Sequence, residues 1–158
     1  MNDVQIVGWQ DDYQQDYYNL AAEWLERYLS IEPGDLALME HPREAVIARG
    51  GDIFFARLGG KNVGTISLVP HAPAVYEVAK FAVTPACQGQ HVGSLLLEHL
   101  LARARAREAE KLVLYTSHIL QPAIHLYEKY GFYRTPANDS PFADADIRME
   151  LSIYEKEE

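Results

Sequence analysis

Apolar and polar residues alternate over positions 4–9, the two-residue period of a short, half-buried strand. The period then lengthens. Tyr17, Leu20, Ala21, Trp24 and Tyr28 recur three or four positions apart, which predicts an amphipathic helix over 13–29. Pro33 opens a second helical stretch and Pro42 interrupts it, so two short helices, over 34–40 and 43–49, are expected instead of one. The runs at 52–58 and 61–69 flank Gly59-Gly60 and read as a β-hairpin. A fourth strand is expected over 75–83, a helix over 92–107, a strand over 111–116 and a helix over 122–130 with proline at its start. A short extended piece at 132–134 and a closing strand over 147–153 complete the pattern, and Pro136-Ala-Asn-Asp-Ser-Pro141 is a mobile loop by composition.

A meander of strands followed by strand, helix, strand, helix and strand implies an α/β (α+β mixed) fold, with one mixed sheet and helices on both of its faces. The 158 residues suffice for one substantial core, so a single domain over 1–158 is expected. No run of 18 apolar residues occurs, and the first residues lack the basic and then apolar regions of a secretory signal, which predicts a cytoplasmic protein with no membrane partner. A formal net charge of −9 argues against a nucleic-acid partner, because neutralising phosphates needs a basic face. Cys87 is the only cysteine and the six histidines form no ligand pattern, so no disulfide and no metal site is expected. Cys87 itself reads as a small buried filler.

The most specific chemical signal is the stretch from Glu77 to Ser94, where a strand passes through a tight turn onto a helix start. The first backbone N–H groups of a helix lack partners and carry the positive end of its dipole, which suits a phosphate. Gly89 and Gly93 let a ligand approach the backbone. The spacing fits neither a Walker loop nor a Gly-x-Gly-x-x-Gly dinucleotide turn.

Gln88-Gly89-Gln90-His91-Val92-Gly93 resembles the pyrophosphate loop of the GNAT superfamily of acetyl-CoA-dependent N-acetyltransferases, whose form is Arg/Gln-x-x-Gly-x-Gly/Ala. His91 departs from it, standing where glycine is usual. Pro122-Ala-Ile-His-Leu-Tyr127-Glu-Lys-Tyr-Gly131-Phe132 is similar to the superfamily's Ala-x-x-Leu-Tyr-x3-Gly-Phe segment. Together the two blocks cover roughly residues 50–135, and Glu23-Trp-Leu-Glu-Arg-Tyr28 adds a looser likeness to small bacterial members. The resemblance implies the GNAT fold: a mostly antiparallel mixed sheet of six to seven strands whose fourth and fifth strands splay apart. Acetyl-CoA would lie in that opening, against the backbone of Phe81, Ala82 and Val83, with its pyrophosphate on the loop from Gln88 through Gly89, Gln90, His91, Val92 and Gly93 to Ser94. Ser117 stands where many relatives carry an asparagine that touches the coenzyme.

Acetyl transfer to an amine requires a base, since an alkylammonium with a pKa of about 10 is protonated near neutral pH, and an acid for the departing thiolate. By the resemblance, Glu77 is the general base and Tyr127 the proton donor to sulfur. Two-residue alternation places Glu77 on the same face as Phe81 and Val83, roughly 13 Å from Phe81, so a bound water would relay the proton. Trp24, Tyr28 and Tyr76, with residues 137–146, are expected to wall the acceptor pocket, where aromatic and acidic groups suit a cationic amine. A small amine, an amino acid and a protein lysine or N-terminus all fit. The expected reaction is direct attack of a primary amine on acetyl-CoA in a ternary complex; the alternative is a CoA-binding sensor or partner module that has lost catalysis. The closing strand is a candidate for pairing across a homodimer.

Overall fold

A computed structural model describes residues 3–153; residues 1–2 and 154–158, which the expected domain also includes, lie outside the described residues. Seven strands among the described residues form a single sheet: β1 (Gln5–Gly8), β2 (Asp52–Leu58), β3 (Lys61–Ala72), β4 (Val75–Val83), β5 (Lys111–Thr116), β6 (Tyr133–Thr135) and β7 (Ile147–Ser152). Their spatial order is β1-β2-β3-β4-β5-β7-β6, and every pairing is antiparallel except β4 with β5.

Helix α1 (Gln14–Tyr28) packs on one face through Tyr17 and Leu20, which join Val46, Ile53 and Phe55 in a compact cluster. Tyr17 is fully buried there, and its hydroxyl shares a 2.7 Å hydrogen bond with Ser67. The neighbouring helix α2 (Pro33–Glu40) packs on α1 through Met39. The opposite face carries the larger cluster. Helix α3 (Val92–Ala106) lays Leu96, Leu97, Leu100 and Ala104 on Phe54, Ile66, Leu68 and Val78, and α4 (Gln121–Lys129) adds Ile124 and Tyr127. Burying each leucine is worth about 1.5–3 kcal/mol, so this cluster is the main anchor of β4.

The elements follow the hydrophobic pattern, with local differences. Residues 43–47 form a single wide turn closed by the Ala48 N–H to the Arg43 carbonyl at 2.7 Å, instead of a helix to 49, and Pro42 sits at its entrance. Strand β3 runs on through Pro70 to Ala72. That is tolerated because β2 ends opposite Leu68, so beyond it β3 borders β4 alone and a missing N–H breaks no β2 bond. The closing strand does not lie at an edge. Strand β7 has β5 along its whole length on one side and β6 opposite Arg148, Met149 and Glu150 on the other, so those three residues offer no free edge to a second copy. No helix among the described residues is long and apolar enough to cross a membrane.

One irregularity matters for the site. Thr65 pairs with Ala82 and Ser67 with Ala79, which leaves Lys80 and Phe81 together opposite Ile66. Lys80 takes a left-handed conformation with φ +50°. This is a β-bulge, and it inverts the alternation of β4. On its N-terminal side Val78 faces the α3 cluster and Glu77 and Ala79 face α1; on its C-terminal side Phe81 and Val83 face α3 and α4. The expectation that Glu77 shares a face with Phe81 and Val83 is therefore corrected.

Candidate functional site

Strands β4 and β5 pair over three residues only, Val75 with Lys111, Tyr76 with Leu112 and Glu77 with Val113. Both strands then continue without each other, β4 to Val83 and β5 to Thr116, so the sheet opens into a V with Glu77 at its vertex. A cavity of ≈ 400 Å³ fills the opening. Its walls come from both faces of the sheet, because a splayed pair leaves a slot through which one face communicates with the other.

On the α3 side the cavity is lined by Phe81, Ala82, Val83, Gln88, Gly89, Val92 and Gly93, together with Leu126 and Tyr127 of α4. The chain leaves β4 through a short 3-10 turn, Pro85–Cys87, and reaches α3 with Gly89 at φ +81° and His91 at φ +64°. The first intrahelical bond of α3 is from the Leu95 N–H to the His91 carbonyl, at 3.1 Å. The N–H groups of Val92, Gly93 and Ser94 precede any carbonyl that the helix can offer, and Val92 and Gly93 border the cavity. Gly93 packs closely: a Cβ there would stand 3.3 Å from Phe81 Cζ, so the Phe81 ring would have to give by a few tenths of an ångström. Gln88 is fixed by a 3.1 Å bond from its side-chain amide to the Val83 carbonyl.

Tyr127 is 7% exposed and packs between Phe81 and Phe132, with ring centroids 6.0 and 5.7 Å away. No described residue bonds its hydroxyl. Burial pushes its phenol well above the ordinary value, so the group is protonated throughout the neutral range.

On the α1 side the cavity is walled by Trp24 and Tyr28, whose rings lie 4.5 Å apart, and by Glu32, Asp35, Phe142 and Asp144. The corner between α1 and α2 is tied to the loop before β7 by two bonds, Ser30 Oγ to Asp144 Oδ2 at 2.7 Å and the Ala143 N–H to Glu32 Oε1 at 3.1 Å. Asp35 closes the first turn of α2 by accepting the Glu32 N–H at 2.9 Å, and it also pairs with Lys80. Burial raises the Glu77 carboxyl above the usual carboxylate value, while Lys80 pulls it back down.

The structure thus brings together Glu77, Phe81, Ala82, Val83, Gln88, Gly89, Val92, Gly93, Tyr127, Trp24 and Tyr28 around one cavity. It does not bring in all the expected side chains. Tyr76 is corrected: one residue from Glu77, it faces α3 and packs on the main core, outside the cavity lining. Ser117 is buried outside the lining, its Oγ accepting the Ile119 N–H at 3.4 Å. The side chains of Gln90, His91 and Ser94 also stay off the wall: Gln90 reaches the Ala86 carbonyl, His91 is exposed, and Ser94 is half-buried outside the lining. Sequence reasoning missed Glu32, Asp35 and Lys80. A capping signature at Glu32 and Asp35 was readable, but their place beside β4 was not.

His91 supplies a direct test of the turn. A side chain in the left-handed region costs about 1–2 kcal/mol, whereas glycine pays roughly 0.5–1 kcal/mol in extra backbone entropy. His91→Gly is therefore expected to raise stability by about 0.5 kcal/mol, visible as a rise of ~1–2 °C in melting temperature. A fall in melting temperature would place a stabilising contact on the imidazole.

Among the described residues no three His, Cys, Asp or Glu side chains are grouped to hold a metal ion. The model of the acetyltransferase (GNAT) family matches residues 7–132. Among curated proteins, the mycothiol acetyltransferase of Corynebacterium glutamicum strain R is 31% identical over 84 residues, 53% of this chain and 29% of that protein. The match therefore spans under a third of that relative's length. Among solved structures, an acetyltransferase of the GNAT family from Staphylococcus aureus Mu50 superposes with a TM-score of 0.86 at 16% identity, over 96% of this chain and 99% of that one. The PaiA N-acetyltransferase of Thermoplasma acidophilum, solved in complex with coenzyme A, gives a TM-score of 0.77 at 17% identity, over 95% and 99% of the two chains. At such identities the two structures establish the fold alone. With the family model covering most of the chain and the sheet splayed between β4 and β5, this protein belongs to the acetyltransferase (GNAT) family.

Proposed function

We propose that the protein is an N-acetyltransferase that moves the acetyl group of acetyl-CoA to a primary amine by direct attack in a ternary complex. The observation that carries the reading is the V between β4 and β5. It offers bare strand edges to the pantetheine amides, the N-terminus of α3 to the pyrophosphate, and an aromatic and acidic arm to the amine. The bulge at Lys80 divides β4 to suit this use: Phe81 and Val83 serve the coenzyme side, and Glu77 serves the acceptor side.

In this reading Glu77 accepts a proton from the bound ammonium, directly or through a water. The neutral amine then attacks the thioester carbon. As the carbon–sulfur bond breaks, Tyr127 gives its proton to the sulfur and recovers one from the nitrogen, which sheds its surplus proton in becoming the amide, so the phenol is neutral before and after. The acceptor is a cationic amine, because Glu32, Asp35 and Asp144 outnumber Lys80 on that arm and the Trp24 and Tyr28 rings favour a cation. A cytoplasmic location belongs to the same reading.

Calorimetry with acetyl-CoA, followed by thiol release across a panel of amines, tests it. Binding with amine-dependent thiol release is the expected result. Binding without turnover on any amine would favour the CoA-binding module, and absence of binding would sink both. The coenzyme site has its own variant. Gly93→Glu adds a negative charge at the α3 N-terminus and forces Phe81 to move, so affinity for acetyl-CoA should fall at least tenfold. Unchanged affinity in a folded Gly93→Glu protein would remove the pyrophosphate from this loop.

A further inference from the structure

The acetyltransferase reading assigns no role to Lys80, yet Lys80 stands in the cavity wall with a left-handed backbone and a paired ammonium. Regular alternation would turn Lys80 with Val78 into the α3 cluster, where an ammonium has no partner. The bulge turns it instead to the α1 side. Its left-handed backbone costs about 1–2 kcal/mol in a residue that has a Cβ, and such strain persists only where the surroundings over-determine it. Here the ammonium is paired with Asp35, the two side chains being 9% and 5% exposed, and it lies 5.2 Å from the centroid of the Phe142 ring. Asp35 is itself anchored by the Glu32 N–H, so the cation is held in one place.

We infer that Lys80 is a positioning residue for the proposed base: clamped by Asp35 and Phe142 on the Glu77 side of the sheet, its ammonium keeps Glu77 in the proton-accepting form at neutral pH. The inference rests on the acetyltransferase reading for the role of Glu77. A buried ion pair is a weak stabiliser compared with apolar residues of the same volume, so fold stability alone does not explain it. Lys80 has little competition at Glu77. From α1 comes Tyr17, neutral and bonded to Ser67; from α2 comes Asp35, already paired with Lys80. The cross-strand neighbours Val69 and Val113 carry no charge. One strand further, Glu150 is paired with Arg148 and Lys111. Burial drives the Glu77 carboxyl toward its protonated form, and Lys80 is the group opposing it.

The test follows the Glu77 carboxyl carbon by ¹³C NMR as pH is varied, in the full chain without ligand, with Glu77→Gln to identify the resonance. Lys80→Met removes the opposing charge and should raise the Glu77 midpoint by about one pH unit. Asp35→Asn leaves the ammonium without its counter-charge and should lower the midpoint. Lys80→Arg keeps the charge and should stay near wild type. A Lys80→Met midpoint equal to that of wild type, or both variants moving in the same direction, overturns the inference. Should Lys80→Met fail to fold, Asp35→Asn decides: a lowered midpoint supports the inference, and an unchanged or raised one overturns it. Failure of the base assignment is separately visible, as wild-type kinetics in Glu77→Gln with these titrations unaffected.

Discussion

Tyr127→Phe is expected to lower turnover on the order of 10²-fold while coenzyme affinity and thermal stability change little. The hydroxyl has no partner among the described residues, so its removal strands no buried group, and the ring keeps its packing against Phe81 and Phe132. Burial raises the phenol well above its ordinary value, which keeps it neutral and able to hydrogen-bond sulfur but also makes it a weaker acid, so the proton it gives must be replaced by the one the nitrogen sheds. In the proposed reaction the hydroxyl acts mainly as charge develops on sulfur, an interaction realised in the transition state and not in ground-state binding. Steady-state rates and melting curves on one preparation separate this from a packing role. Normal turnover with a shifted melting temperature would make Tyr127 a core residue and nothing more.

Glu77→Gln is the second large effect, on the order of 10²-fold in kcat/KM near neutral pH, with partial recovery in alkali as free amine becomes abundant. The amide keeps the shape of the side chain and cannot accept the proton. The acid limb of the kcat/KM profile should lie above the usual carboxylate range in the wild type, because burial raises Glu77, and it should vanish in the variant. The stability consequence has a definite sign. A carboxyl whose folded pKa is raised contributes stability that is fully present below its unfolded value and is lost as pH rises through the folded one. Above its folded pKa the ionised Glu77 is a burden on the fold, and there the glutamine variant should melt no lower than wild type. A pH profile matching wild type would return Glu77 to a structural role.

Much of the site was legible because it is local. Gln88, Gly89 and Gly93 lie within one turn and helix start, and Tyr127 follows from a helix face that ends at Gly131-Phe132. Trp24 and Tyr28 are one helical turn apart and meet at the cavity as their spacing implies. Tyr76 failed for an equally local reason: adjacent strand residues point to opposite faces, so Tyr76 and Glu77 do not both reach the same wall. Lys80 and Asp35 are 45 residues apart, and no pattern along the chain joins them.

The amino-acid sequence by itself determined the kind and order of the elements, the turn that delivers β4 to the α3 N-terminus, and the family likeness carried by residues 88–93 and 122–132. These depend on side-chain period and backbone preference within a few residues. Tertiary pairing decided which face each β4 residue serves. Strand β3 fixes the register on both sides of Ile66 and forces one extra residue into β4, and a single extra residue exchanges the two faces of everything beyond it. The early end of the β4–β5 ladder is likewise non-local, since each strand alone has the same hydrogen-bonding groups before and after Glu77. Only the assembled sheet brings Glu77 and Tyr127, from opposite faces, into one slot.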